Sequence, residues 1–240
     1  MQSAKLVAMS DTSLIHPFSG KSVRAILFDL DGTLVDSAPD IAVALNAVMA
    51  KDGLLPHSVV IVRSLIGEGI HRLVEKAFAL RQKTLGLSEL NIRTAEFAEL
   101  YEAHIADHTR PYPGVIAGLA ALRQQGLKIA VVSNKAQHLT DNLLVQLKLS
   151  SSFDLILGAR DTLPKKPAPD MLHFALREFS VTSDEALFVG DSIADVRAAE
   201  AAGLPCILIE GGYTVEATTK LGAWKTVVDF PSFTKLWTVL

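Results

Sequence analysis

Short aliphatic runs alternate with amphipathic stretches along most of this chain. Ala25-Ile26-Leu27-Phe28 is apolar throughout and short, which predicts a buried strand. The next segment carries Ile41, Leu45, Val48 and Met49 on one helical face. Asp36 or Ser37 can cap that helix, Pro39 suits its first turn, and Gly53 ends it. From there to about residue 110 the pattern is helical, with no convincing strand. Val59, Val62, Leu65 and Ile66 form one stripe, which Gly67-Glu68-Gly69 interrupts. Ile70, Leu73, Val74 and Ala77 begin a second stripe, and Phe97, Leu100, Tyr101 and Ile105 make a third. Pro111-Tyr112-Pro113-Gly114 punctuates the return to alternation.

Beyond Gly114 the pattern predicts a helix over 115–125, stopped by Gly126, and a strand over 128–132. Leu139, Leu143, Leu144 and Leu147 mark the next helix, and 155–157 the next strand. A helix over 169–179, a strand over 186–189, a helix over 196–202 and a strand over 206–209 follow. Residues 226–228 predict a last, short strand. Aliphatic strands separated by helices imply an α/β fold, a doubly wound parallel sheet of Rossmann-like type covered on both faces. The helical block reads as an inserted all-helical domain. The expected division is a leader over 1–22, a core over 23–36 and 112–240, and a helical cap over 37–111.

Composition narrows the function. A hydrophobic share of 49% suffices for a real core and argues against disorder. A formal net charge of −3, with no basic run, argues against nucleic acid and membrane surfaces as partners. An anionic substrate therefore needs a local positive site. The single cysteine, Cys206, sits in an apolar run and reads as a small buried residue, in keeping with a reducing compartment. No apolar stretch approaches the ~18 residues that span a bilayer. With no signal pattern at the N-terminus, the expectation is a cytoplasmic protein, monomer or homodimer.

In doubly wound sheets ligands sit beyond the carboxyl ends of the strands. Asp29-Leu30-Asp31-Gly32-Thr33 leaves the first strand there, and its two acids share one face because side chains alternate. Paired carboxylates are costly unless a cation joins them, which makes a hard metal ion the natural third party. Ser133-Asn134, Lys166-Pro167 and Gly190-Asp191-Ser192, with Asp195 beyond, fall after later strands. Singly, each has a plainer explanation: an Asp-Gly turn, a helix cap, a solvated lysine. The histidines form no close metal-ligand pair, and His71, His104, His108, His138 and His173 read as surface or half-buried helix residues.

Together and in this order, these groups resemble the haloacid dehalogenase superfamily of phosphotransferases. The resemblance runs from about residue 23 to the end and includes the helical insert, of the family's C1 cap type. It implies Asp29 as nucleophile, forming an aspartyl-phosphate, and Asp31 as general acid and base. It implies Mg2+ held by Asp29, the backbone carbonyl of Asp31 and Asp191, with Asp195 and Ser192 supporting from behind. Lys166, chosen over Lys165 because it precedes Pro167, would offset phosphoryl charge. Thr33, Ser133 and Asn134 would bind the phosphoryl group. Gly67, Glu68 and Gly69 resemble the cap loop that helps select substrate, and equally fit a plain helix–helix turn. Arg63 and Arg72 lie near enough in sequence to meet a substrate carboxylate. The cap length and Gly211-Gly212-Tyr213-Thr214 resemble the phosphoglycolate phosphatase branch, with 2-phosphoglycolate as the expected small phosphorylated metabolite. A sugar-phosphate or pyrophosphate hydrolase, a β-phosphoglucomutase-like phosphotransferase, and an idle binding module on the same scaffold remain alternatives.

Overall fold

A computed structural model describes residues 20–214 and 216–238 of the 240-residue chain. Most of the expected leader lies outside the described residues; at its end, Lys21 pairs with Asp184.

The central sheet has six parallel strands: β1 (Ala25–Phe28), β4 (Lys128–Ala136), β5 (Leu155–Ala159), β6 (Ala186–Gly190), β7 (Cys206–Ile209) and β8 (Lys225–Val227). Their order is β5-β4-β1-β6-β7-β8, so the chain winds outward in both directions from β1. Side-chain alternation along β1 splits the core. Ile26 and Phe28 pack with α5 (Val115–Gln124), α6 (Gln137–Gln146) and α9 (Phe230–Thr238) on one face. Ala25 and Leu27 pack with α7 (Asp170–Phe179) and α8 (Ile193–Ala202) on the other. Both faces of β1 are fully buried, which is why its sequence is a continuous apolar run instead of an alternating one.

The sheet strand β4 and the chain's last helix depart from the sequence reading. The strand expected over 128–132 continues through Ala136, with a register irregularity against β5 between Val132 and Ala136. Ser133, Asn134 and Lys135 are therefore on the strand's end, not in a loop beyond it. The chain also closes on a helix, α9, for which the sequence pattern gave no expectation. Its Phe230 and Phe233 rings lie 5.8 and 5.6 Å from the Phe28 ring, so β1 is covered by aromatic contact from the C-terminal segment.

The helical excursion begins and ends at a two-stranded antiparallel ribbon, β2 (Val35–Asp36) and β3 (Arg110–Pro111), with Val35 opposite Pro111 and Asp36 opposite Arg110. Between them run α1 (Ala38–Ala50), α2 (Val59–Arg63), α3 (Ile70–Ala79) and α4 (Leu87–Ala103). The expected stripes supply their common core: Leu45, Val48, Val62, Leu73, Val74, Phe97 and Tyr101 are all buried together. Asp40 in the first turn of α1 binds the returning chain. Its carboxylate accepts from the backbone N–H of His108 at 2.9 Å and from both N–H and hydroxyl of Thr109 at 2.7 Å.

α1 is capped differently from the expectation. Ser37 stands at its N-cap but makes no side-chain cap bond. The Tyr213 hydroxyl, reaching over from the loop after β7, accepts the N–H groups of Ser37 and Ala38 at 2.7 and 3.0 Å. That frees the Ser37 hydroxyl to donate to Asp31 at 2.5 Å.

Candidate active site

The carboxyl ends of β1, β4 and β6 meet the four helices at a cavity of about 320 Å³. Asp29, Asp31, Ser133, Asn134, Lys135, Lys166, Asp191, Ser192 and Asp195 line its sheet side. Ile41, Ile66, Gly67, Glu68, Gly69, Ile70, Leu73, Phe97 and Tyr101 line its helical side. Residues as distant in sequence as 29 and 195 thus share one pocket because three neighbouring parallel strands end together.

Lys166 is the electrostatic centre of the sheet side. Its buried ammonium donates to Asp29 Oδ1 at 2.6 Å and to Asp195 Oδ1 at 2.7 Å. Lys165 is exposed and lies against Gly69 instead. Burial alone would push the Lys166 ammonium down; the Asp195 and Asp29 carboxylates outweigh it and hold it above the ordinary lysine range. Asp195 is almost saturated. Its Oδ2 accepts from Ser192 Oγ at 2.6 Å, Ser192 N at 3.0 Å and Asp191 N at 3.2 Å. A carboxylate so engaged fixes the turn after β6 and anchors Lys166.

Asp191 is set by its neighbours. Tyr213 N–H donates to its Oδ2 at 2.6 Å and Thr33 Oγ1 to its Oδ1 at 3.0 Å. Gly32 and Gly212 flank it, and a Cβ on either would collide with its carboxylate. Two glycines therefore leave the space in which this acid stands.

Three carboxylates, Asp29, Asp191 and Asp195, offer oxygens that all lie within 4.8 Å of one another. Burial, partly offset by Lys166, pushes Asp29 up to about 7, and burial with the Asp195 and Asp29 charges raises Asp191 well above the ordinary range. The protein alone leaves the cluster short of positive charge. Among the described residues the donors are all hard carboxylate oxygens, with no thiolate or imidazole in the cluster, which fits a hard divalent cation. This has a measurable consequence. The unfolded chain releases the Asp29 proton near 3.8, whereas the folded metal-free site keeps it to about 7. Within that window the native state binds the extra proton, so metal-free stability falls as pH rises. Adding Mg2+ is expected to raise the Tm more at about pH 8 than at about pH 5, where protons compete for the same oxygens. Equal increments, read by calorimetry in chelator and in excess Mg2+, would remove Asp29 from the metal site.

Asp31 faces elsewhere. Its carboxylate takes the Ser37 hydroxyl on Oδ1 and the ammonium of Lys135 on Oδ2, at 2.8 Å. Lys135 is buried and also donates to the Tyr101 hydroxyl of α4 at 3.0 Å. The sequence reading did not single it out. The available signal was adjacency: Lys135 directly follows Ser133-Asn134, and all three line the pocket where the strand's register is irregular.

Several expected ligands are placed differently. Thr33 does not line the cavity; its hydroxyl is spent on Asp191. Ser133 does line it, accepting from Lys135 N at 3.2 Å and keeping its own proton available to donate. The Asn134 side chain is a clamp. Its Nδ2 donates to the carbonyls of Gly67 and Lys166 at 2.8 and 2.9 Å, and its Oδ1 accepts from Lys166 N at 2.9 Å. It ties the loop before α3 to the Lys166 segment. Glu68 pairs with Lys76 and Arg72, and Arg72 with Glu75. Arg63 pairs with Asp36 at 2.5 Å. Neither arginine lines the cavity; each is paired with an acid outside its sheet side.

Comparison with known proteins fits this geometry. Residues 26–209 match the family of haloacid dehalogenase-like hydrolases. A phosphoglycolate phosphatase of Caulobacter vibrioides is 38% identical over 220 residues, covering 91% of both chains. One of Chromobacterium violaceum is 41% identical over 209 residues, covering 86% of this chain and 93% of its own. Among solved structures, a predicted phosphoglycolate phosphatase from Haemophilus somnus superposes with a TM-score of 0.83 at 30% identity, covering 89% of this chain and 97% of its own. CbbY from Rhodobacter sphaeroides, in complex with phosphate, gives 0.73 at 28% identity, over 89% and 96%. With its family pattern over most of the sheet and its relatives matched nearly end to end, the chain belongs to the haloacid dehalogenase-like hydrolases and is a phosphatase of that family.

Proposed function

We propose that the protein hydrolyses 2-phosphoglycolate with Mg2+ as cofactor, by way of a phosphorylated Asp29, in a reducing compartment such as the cytoplasm. The observation that carries this reading is the meeting of Asp29, Asp31, Ser133, Lys166 and Asp191 around one cavity. The names of the relatives support the choice of substrate. Residues 23–36 and 112–240 act as the catalytic core, and 37–111 as a cap that covers it and excludes bulk water.

Asp29 Oδ2, which accepts no hydrogen bond from the described residues, attacks phosphorus. The bond from phosphorus to the glycolate oxygen breaks, and Asp31 gives that oxygen a proton. A water molecule then attacks the phosphorus, passes its proton to Asp31, and releases inorganic phosphate from Asp29. Lys166 and the Ser133 hydroxyl steady the phosphoryl oxygens throughout. Asp29 and Asp191, with the backbone oxygen of Asp31, would hold the cation, while Asp195 and Ser192 fix the loop beneath it. When bound, Mg2+ supplies positive charge against the phosphoryl oxygens and the nucleophilic carboxylate.

The test is a panel of phosphate esters ranked by kcat/KM in Mg2+, with 2-phosphoglycolate expected first. A sugar phosphate or pyrophosphate in that place would replace the substrate. An isomerised product without phosphate release would replace hydrolysis with mutase chemistry.

A further inference from the structure

Among the described residues, only two cations line the cavity, Lys135 and Lys166. Lys166 is committed to two carboxylates at its base. Lys135 has one carboxylate and one neutral hydroxyl as partners, so less of its charge is cancelled. An ammonium has three N–H donors, and Lys135 spends one on Asp31 and one on the Tyr101 hydroxyl. Its nitrogen also sits 4.8 Å from the Tyr101 ring centroid, held between the sheet and α4. Burial alone would push this ammonium down; its interactions with Asp31 and Tyr101 together outweigh that cost and hold it up. Arg63 and Arg72, the cations that sequence proximity suggested for this duty, are paired outside the cavity.

From this geometry we infer that Lys135 is the specificity residue of the site, donating its third N–H to a carboxylate on the carbon next to the ester oxygen of the substrate. The inference rests on the proposed hydrolysis of 2-phosphoglycolate with Asp31 as acid and base. With Asp31 serving the leaving oxygen, the ammonium that touches Asp31 stands where a group one carbon removed from that oxygen would lie. The substrate class is then a phosphate ester of a 2-hydroxy acid. A pure phosphate-binding site would not need Lys135 on this side. On the helical side Ile41, Ile70, Leu73 and Phe97 are apolar and Glu68 is an acid, so among the described residues no second cation faces a substrate carboxylate there.

The experiment compares 2-phosphoglycolate with 2-hydroxyethyl phosphate, which replaces the carboxylate with a neutral alcohol. The readout is the ratio of their kcat/KM values. One charge-assisted hydrogen bond predicts that Lys135→Met lowers this ratio by about 30-fold, chiefly through KM for 2-phosphoglycolate. Lys135→Gln can still bridge Asp31 and Tyr101 and is expected to lower the ratio similarly, while Lys135→Arg restores most of it. These variants keep the test open if the methionine protein folds poorly. Equal loss on both esters in the glutamine variant, with the ratio unchanged, overturns the inference: Lys135 then merely holds Asp31. Failure of the 2-phosphoglycolate reading looks different, because the wild-type protein would then hydrolyse neither ester.

Discussion

Asp29→Asn is expected to lower turnover by about 10⁵-fold on every ester the protein accepts, the scale seen when a covalent nucleophile is removed. The amide is isosteric with the carboxylate, so Lys166 keeps an oxygen to bond at the position of Asp29 Oδ1. An amide oxygen cannot form the phosphoryl intermediate, and the second half-reaction then has nothing to hydrolyse. The fold should survive. Asp29, Asp191 and Asp195 crowd their oxygens within 4.8 Å, and burial already disfavours the charge on Asp29. Removing that charge relieves the metal-free cluster, so in chelator at neutral pH the variant's Tm should equal or exceed that of the wild type. The pairing of a dead enzyme with an undiminished Tm separates loss of chemistry from loss of structure. A folded Asp29→Asn protein that still turns over would remove Asp29 as the nucleophile.

Much of this site was legible in the sequence for a topological reason. In a doubly wound sheet every strand's carboxyl end faces one edge, so the residue after each aliphatic run is placed by counting strands. Asp29 after β1 and Asp191 after β6 were located in that way, and the two strands are direct neighbours. Lys166 is in a loop that periodicity does not position; its assignment came from Pro167 beside it. What remained illegible depends on contacts between distant segments. The Thr33 hydroxyl was free to serve a phosphate until the fold set Asp191 3.0 Å away. The family resemblance offers the Asn134 backbone to the phosphoryl group and is silent on the side chain, which clamps Gly67 to Lys166. Ser37 has the chemistry of an N-cap, but Tyr213 took that position from 176 residues away. The helix α9 was missed since Phe230-Pro231-Ser232-Phe233 gives a weak local pattern, and its rings gain a partner only in Phe28. Local chemistry proposes partners for a polar side chain, and tertiary neighbours choose among them.

The same crowding makes Lys166→Met the most informative substitution on the binding side. The methionine stem fills the lysine's volume but leaves Asp29 and Asp195 without their shared cation. Two effects should appear together. Turnover should fall by about 10²–10³-fold, the loss that follows removal of one fixed donor aimed at developing charge. In chelator near neutral pH the protein should lose about 3–5 kcal/mol of stability, because breaking a buried ion pair strands the remaining charge. A general disruption of the site would produce both effects, so the deciding measurement is the Mg2+ affinity. Lys166 competes with the cation for the Asp29 charge, with its ammonium only 2.6 Å from Oδ1. Removing that competitor should tighten Mg2+ binding, seen by calorimetric titration, even as catalysis collapses. Tighter metal binding with slower turnover means that Lys166 serves the phosphoryl group and that the cluster's acids are placed without it, Asp191 by Thr33, Tyr213 and the two glycines. Weaker binding would mean the opposite. Lys166 would then be the strut that aims Asp29 at the metal, and its effect on turnover would be secondary to that.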